Sequence, residues 1–250
     1  MLPKLFGILD SYTVMMAIGI ISAFALALSF IIYKKFNKRD LVDLLICGSF
    51  AIVAGMICAL LFQALYDFVE NPSTFKFEFK MTFYGGLFGG ILGFLLTYYL
   101  LVKKNTTLDI DAVLAIAPAC ITLAHGIGRI GCFLAPCCYG KVSEHGLFFP
   151  ALGEKVIPTQ LYEAIILLVL TAVMIPLAFK GFKYNFIIYL GVYSIFRFII
   201  EFFRGDDRGA NFLGLSPSQI WSILILLCLV PLILIINRFV YTKGRQNENQ

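Results

Sequence analysis

Charge is scarce in this chain. Lysine, arginine, aspartate and glutamate together make up 14% of its 250 residues, while 60% are hydrophobic. So few charged groups cannot cover a water-soluble globule of this length without leaving large apolar patches exposed. The sequence shows no soluble domain, linker or internal repeat, and histidine is limited to His125 and His145. Its basic residues form no stripe interleaved with aromatics, which argues against nucleic acid as a partner. These absences leave one class, an all-α polytopic membrane protein whose first partner is the lipid bilayer.

Apolar runs approach the ~20 residues that a helix needs to cross the hydrocarbon. They predict about seven transmembrane helices, near residues 12–33, 41–66, 82–102, 112–127, 160–179, 185–203 and 217–237, within one domain spanning 1–250. The fourth has a short apolar core, Ala112 to Ala124, and runs directly into a glycine-rich segment. It is read as a helix passing into irregular or re-entrant backbone, which is tolerated at membrane depth only where protein or a wet cavity satisfies its amides. The first run is too long for a secretory signal and is followed at once by a basic cluster, so it is expected to be retained.

Basic residues sort by loop. Lys34, Lys35, Lys38 and Arg39 follow span one, Lys103 and Lys104 span three, Lys180 and Lys183 span five, and Arg238, Lys243 and Arg245 span seven. The positive-inside rule then puts the N-terminus outside and the C-terminus in the cytoplasm. The loops after spans four and six, Gly128 to Gly140 and Arg204 to Asn211, are expected to open externally. The net charge of +5 is accounted for by this topology, and the polar tail from Gln246 to Gln250 is expected to fray.

Span six carries Tyr193, Arg197, Glu201 and Arg204 at helical spacings of four, four and three. They share one face. Such a stripe must face the bundle interior or a hydrated cavity. Two explanations stand side by side. Arg197 and Glu201 could neutralise each other for packing while Arg204 snorkels to the interface, or the planar arginine forks could hold a phosphate. Arg129 is a third cation, with glycines at 126, 128 and 131 that would let main-chain amides approach an anion.

Gly85, Gly89 and Gly93, with Gly86 and Gly90 beside them, form a small-residue face on span three. Close helix packing explains it; a groove for a lipid chain, with Tyr84 at its rim, is the alternative. In Pro158-Thr159-Gln160-Leu161-Tyr162-Glu163, capping and first-turn duty account for Thr159 and Glu163. They do not account for Gln160. Cys47, Cys58, Cys120 and Cys228 read as small core residues. Cys132, Cys137 and Cys138 cluster between His125 and His145, where metal binding, a disulfide or a nucleophile could use them. Their spacings match no zinc pattern, so no metal or cofactor is expected. In an oxidising exterior a disulfide between Cys132 and one of the vicinal pair is favoured.

With these residues assembled, the chain resembles the prolipoprotein diacylglyceryl transferase family of bacterial inner-membrane enzymes. Gly128-Arg129-Ile130-Gly131-x-Phe133 with Gly140 is similar to that family's Gly-Arg-x-Gly-Asn-Phe signature and its closing glycine. Pro158 to Glu163 is similar to its Pro-Ser/Thr-Gln-Leu-Tyr-Glu segment, Tyr193 to Arg204 to its Tyr-x-x-x-Arg-Phe-x-x-Glu-Phe-Phe-Arg helix, and Ser11-Tyr12 to the head of its first helix.

The resemblance implies a multi-pass cell-membrane enzyme that takes the diacylglyceryl group from phosphatidylglycerol, releases glycerol phosphate, and forms a thioether on the lipobox cysteine at the end of a prolipoprotein signal peptide. It implies that Arg129 and Arg197 hold the phosphate, that Glu201 orients Arg197, and that Tyr12 and Tyr193 shape the headgroup pocket. Tyr84, Gly85, Gly86, Gly128, Gly131, Cys132, Gly140, Gln160 and Arg204 are the further substrate-binding candidates. Three positions depart from the pattern: Tyr84 stands for the family's histidine, Cys132 for its asparagine and Cys137 for its acidic residue. Tyrosine, with a reference pKa near ~10, is a poor base at neutral pH, so His125 is expected to take over proton handling. Three alternatives remain: a paralog delivering the same lipid group elsewhere, an external thiol-disulfide protein using the three clustered cysteines, and an anion transporter. The inverted repeats expected of a transporter are not visible.

Overall fold

In a computed structural model, the described residues are 4–5, 9–70, 72–73, 76–77, 79, 81–104, 110–205 and 214–248. Most of the expected loop 204–211 and the end of the polar tail lie outside them. Among the described residues, seven helices are long and apolar enough to cross a membrane. The chain divides into two compact units, residues 28–110 and the combination of 1–27 with 111–250.

The smaller unit is a helical hairpin. Helix α1 (Ser11–Tyr33) ends in it, and α2 (Lys38–Glu70) and α3 (Phe83–Thr97) pack along each other, with a π-helical turn at Tyr98–Val102 prolonging α3. A reciprocal cap starts α2: the Asp40 amide donates to Asn37 Oδ1 at 2.9 Å, and the Asn37 amide to Asp40 Oδ2 at 3.1 Å. Two of the four otherwise orphaned first-turn donors are satisfied this way. The glycine face of α3 lies on α2. A Cβ on Gly85 would stand 2.9 Å from the Cys58 carbonyl, and one on Gly89 would overlap the Cys58 side chain and sit 2.7 Å from the Ala54 carbonyl. Packing is therefore what Gly85 and Gly89 do, and Gly86 faces the same helix near Gly55 and Ala59. Gly89→Leu is expected to force the helices apart and cost about 1–3 kcal/mol, as overpacking does. The thermal midpoint of the purified protein checks this, and an unchanged midpoint would show that the hairpin can open without cost.

The larger unit carries the start of α1, then α4 (Ile110–Leu134), α5 (Thr159–Phe179), α6 (Asn185–Ile200) and α7 (Pro217–Glu248). Short strands precede α1 (β1, Lys4–Leu5; β2, Leu9–Asp10), and a second pair (β3, Val142–Phe149; β4, Glu154–Val156) joins α4 to α5 as an antiparallel hairpin. Asp10 caps α1 by accepting from the Thr13 amide and hydroxyl, each at 2.9 Å. The Thr13 amide bond, more than the hydroxyl bond, holds the Asp10 carboxyl below its ordinary pKa.

Inside this unit Leu167, Met174, Ala178, Ala119 and Tyr189 are fully buried. Buried polar groups cross-link the helices, since unsatisfied ones are costly in an apolar interior. Thr171 Oγ1 donates to Thr122 Oγ1 at 2.8 Å, and Asn185 Nδ2 donates to the Ala115 and Met174 carbonyls at 2.8 and 3.1 Å.

The expectation of re-entrant backbone after Ala124 does not hold. Helix α4 continues through the glycine-rich run to Leu134. The glycines are packing devices: a Cβ on Gly126 would touch Leu168 at 3.1 Å, and one on Gly131 would meet Met15 Cβ at 3.0 Å and Tyr12 Cα at 3.4 Å. Their amides are engaged in the helix, so the expected main-chain anion cradle at Gly128 and Gly131 is absent. Cys228 also departs from expectation, as it is exposed on α7, whereas Cys47 is buried.

Candidate active site

Helix α4 places His125 and Arg129 one turn apart and therefore on one face. Arg129 has no carboxylate within a turn of it along α4. An arginine in so apolar a helix needs a counter-ion from elsewhere, and α5 supplies Glu163. Arg129 Nη2 lies 2.9 Å from Glu163 Oε1, and the Tyr193 hydroxyl on α6 donates to the same oxygen at 2.6 Å. His125 Nε2 stands 3.8 Å from that oxygen, and its ring meets Tyr193 edge-on at 5.2 Å. Glu163 is completely buried. Its Oε2 accepts no hydrogen bond from the described residues.

One turn beyond Tyr193, Arg197 Nη2 pairs with Glu201 at 2.8 Å and donates to Ser218 Oγ on α7 at 3.0 Å. Glu201 lies in a single 3₁₀ turn, Glu201–Phe203, that ends α6, and Arg204 follows it. All of Tyr193, Arg197, Glu201 and Arg204 are buried, so the stripe faces inward as its spacing requires. Arg129 and Arg197 thus each have one carboxylate partner, Glu163 and Glu201 respectively.

Several candidates have structural duties. Gly140 is enclosed by the Ile157 side chain and the Phe203 carbonyl, and its backbone bridges to Arg204. It pins the chain after the cysteines to the end of α6. Gln160, fully buried, donates from Nε2 to the Cys137 carbonyl at 3.2 Å, and Thr159 Oγ1 donates to the Cys138 carbonyl at 2.8 Å. The capping role expected of Thr159 does not hold, because Thr159 is the first residue of α5, Pro158 stands at the cap position and no side chain caps this end. Tyr12, 40% exposed, lies on the first turn of α1 against Gly131. Tyr84 is buried within the smaller unit, edge-on to Phe83.

Glu163 is the residue that sequence reasoning missed, having been assigned to the helix dipole. The signal that could have found it was charge bookkeeping: Arg129 needed a carboxylate from another span, and Glu163 was without a partner of its own. Removing only the Tyr193 hydroxyl, by Tyr193→Phe, is expected to destabilise the protein by about 1.5–3 kcal/mol, the range for a buried bond to a charged group. Thermal unfolding in detergent checks it. A midpoint equal to wild type would mean that Glu163 loses nothing with that donor.

The three neighbouring cysteines are free thiols, not the disulfide expected. Hydrogen bonding among the three, then the charges of Arg129 and Arg204, holds the Cys138 thiol below its ordinary pKa. Hydrogen bonds with Cys132 and Cys138, together with burial, push Cys137 up.

Among the described residues, seven helices long and apolar enough to cross a membrane define a polytopic membrane protein. Within that class, the family model for prolipoprotein diacylglyceryl transferase matches residues 4–235, and the chain belongs to this family. It is 31% identical over 235 residues to the phosphatidylglycerol–prolipoprotein diacylglyceryl transferase of Clostridium tetani, covering 88% of this chain and 90% of that protein. It is also similar to enzyme 2 of that name from Clostridium perfringens, at 31% over 239 residues, covering 90% and 91%. The enzyme of that name from Dehalococcoides mccartyi is 28% identical over 252 residues, covering 95% and 90%.

Proposed function

We propose that this protein transfers the diacylglyceryl group of phosphatidylglycerol to the cysteine thiol of a prolipoprotein at the outer face of the bacterial inner membrane. The observation that carries this reading is the buried cluster in which Arg129 and Tyr193 meet on Glu163, one turn from Arg197 and Glu201. A phosphodiester headgroup is anionic and leaves with its charge. Guanidinium groups held rigidly at low dielectric stabilise such a leaving group far better than mobile side chains in water. Glu163 and Glu201 fix the two arginines, whose remaining donors would bind phosphate oxygens. His125, edge-on to Tyr193 and 3.8 Å from Glu163, would accept the acceptor's proton. Tyr12, exposed at the head of α1, would help shape the headgroup pocket.

The test is expression in cells depleted of their own transferase, followed by mass measurement of a model prolipoprotein. The expected gain is one diacylglyceryl group. Folded protein in the membrane with no gain on the model substrate would defeat the assignment, and lipid recovered on another acceptor would replace it with the paralog alternative.

A further inference from the structure

The lipid-binding cluster makes no use of three thiols that the fold draws together. Cys132 on the last turn of α4 and Cys137 and Cys138 in the loop after it hold their Sγ atoms within 4.8 Å of one another. Their spacing in sequence matches no zinc pattern, and the closure is made in space. The Cys137 amide donates to the Cys132 carbonyl at 3.1 Å, turning the chain back onto the helix. Cys138 then adopts φ of 61°, a left-handed conformation that a residue with a Cβ takes at a local cost. Thr159 and Gln160, both fully buried, hold the Cys138 and Cys137 carbonyls and so keep the loop in this form.

Three close thiols cannot all pair as disulfides, whereas one metal ion can use them all. Sulfurs bound at ~2.3 Å to a common tetrahedral or trigonal centre stand roughly 3.8–4.0 Å apart, a contraction of under about an ångström from the separation seen. Thiolate ligands select soft or borderline ions such as zinc. The cluster holds three ligand groups, and Cys137 and Cys138 are half-buried rather than sealed. That leaves one coordination position accessible, as in catalytic rather than structural zinc sites.

We infer that Cys132, Cys137 and Cys138 form a three-thiolate zinc site whose fourth position takes the acceptor cysteine thiol. The second half of this statement rests on the transferase function proposed above. Coordination would hold the acceptor's sulfur as thiolate, its S–H proton passing to His125, the base assigned above. That sulfur's electron pair forms the C–S bond to the glyceryl carbon. The C–O bond to phosphate breaks, and glycerol phosphate leaves with the bonding pair. The exchange needs no oxidant or reductant.

The test uses the full-length protein in detergent with a phosphine reductant, loaded with Zn²⁺ and freed of excess. One zinc per chain is expected, with Cys132→Ser, Cys137→Ser and Cys138→Ser each lowering the amount retained at least ~10-fold. A second readout needs no variant: zinc loading should protect all three thiols from maleimide, mapped by peptide mass. Wild-type protein that holds no more zinc than the triple serine variant, or whose thiols label equally with and without zinc, overturns the site. For the fourth position, Co²⁺-loaded protein should gain sulfur-to-cobalt absorption on adding a lipobox peptide and not its Cys→Ser analogue. An unchanged spectrum removes that half. Zinc binding with no lipid transfer would leave the metal site standing and sink the transferase function, while undiminished transfer after chelation would remove the fourth-position role and leave the transferase function standing.

Discussion

Arg129→Lys is expected to lower diacylglyceryl transfer about 100-fold while leaving the protein folded, the loss typical of removing one preorganised donor from a developing anion. Lysine keeps the positive charge opposite Glu163, so the 2.9 Å ion pair can re-form in kind. What disappears is the planar fork that can grip Glu163 with one nitrogen and a phosphate oxygen with another. Arg197→Lys should behave alike, because Arg197 already divides its donors between Glu201 and Ser218. The measurement is transfer rate against phosphatidylglycerol concentration, beside a thermal midpoint. A rate within a few-fold of wild type would reduce Arg129 to a structural counter-ion.

Glu163→Ala should be the most damaging single change to the fold, costing about 3–5 kcal/mol, as expected when one partner of a buried ion pair is removed. Glu163 neutralises Arg129, accepts from Tyr193 and faces His125, all through a side chain with no exposure to solvent. Without it, a buried guanidinium and a phenol lose their partner together. Glu163→Gln isolates the charge, since an amide oxygen can still accept from Tyr193 and Arg129 without balancing the cation. Most of the stability should therefore return in the glutamine variant when Arg129→Gln is added to it. If Glu163→Ala melts at the wild-type temperature, Glu163 is not the hub of the cluster.

The helices were legible from apolar run length, and the inward face of α6 from the spacing of Tyr193, Arg197 and Glu201, because both follow from properties local to a helix. The glycines of α4 misled for a physical reason. Glycine permits both irregular backbone and close helix approach, and only the positions of Tyr12, Met15 and Leu168 show which is in use. Glu163 was misjudged because a carboxylate in a first turn has a sufficient local explanation, whereas its buried partners come from α4 and α6. The cysteine trio was hidden in the same way. Cys132 is five residues from Cys137, and the left-handed turn at Cys138 that gathers the sulfurs is enforced by Thr159 and Gln160 some twenty residues later.

The most direct measurement combines the purified protein, vesicles of phosphatidylglycerol, and a lipobox peptide, and follows peptide mass together with released glycerol phosphate. A peptide heavier by one diacylglyceryl group, with glycerol phosphate appearing in equal amount and both lost in Arg129→Lys and Arg197→Lys, is the result expected. An unmodified peptide in the presence of folded protein, or modification that survives both arginine substitutions, would contradict it.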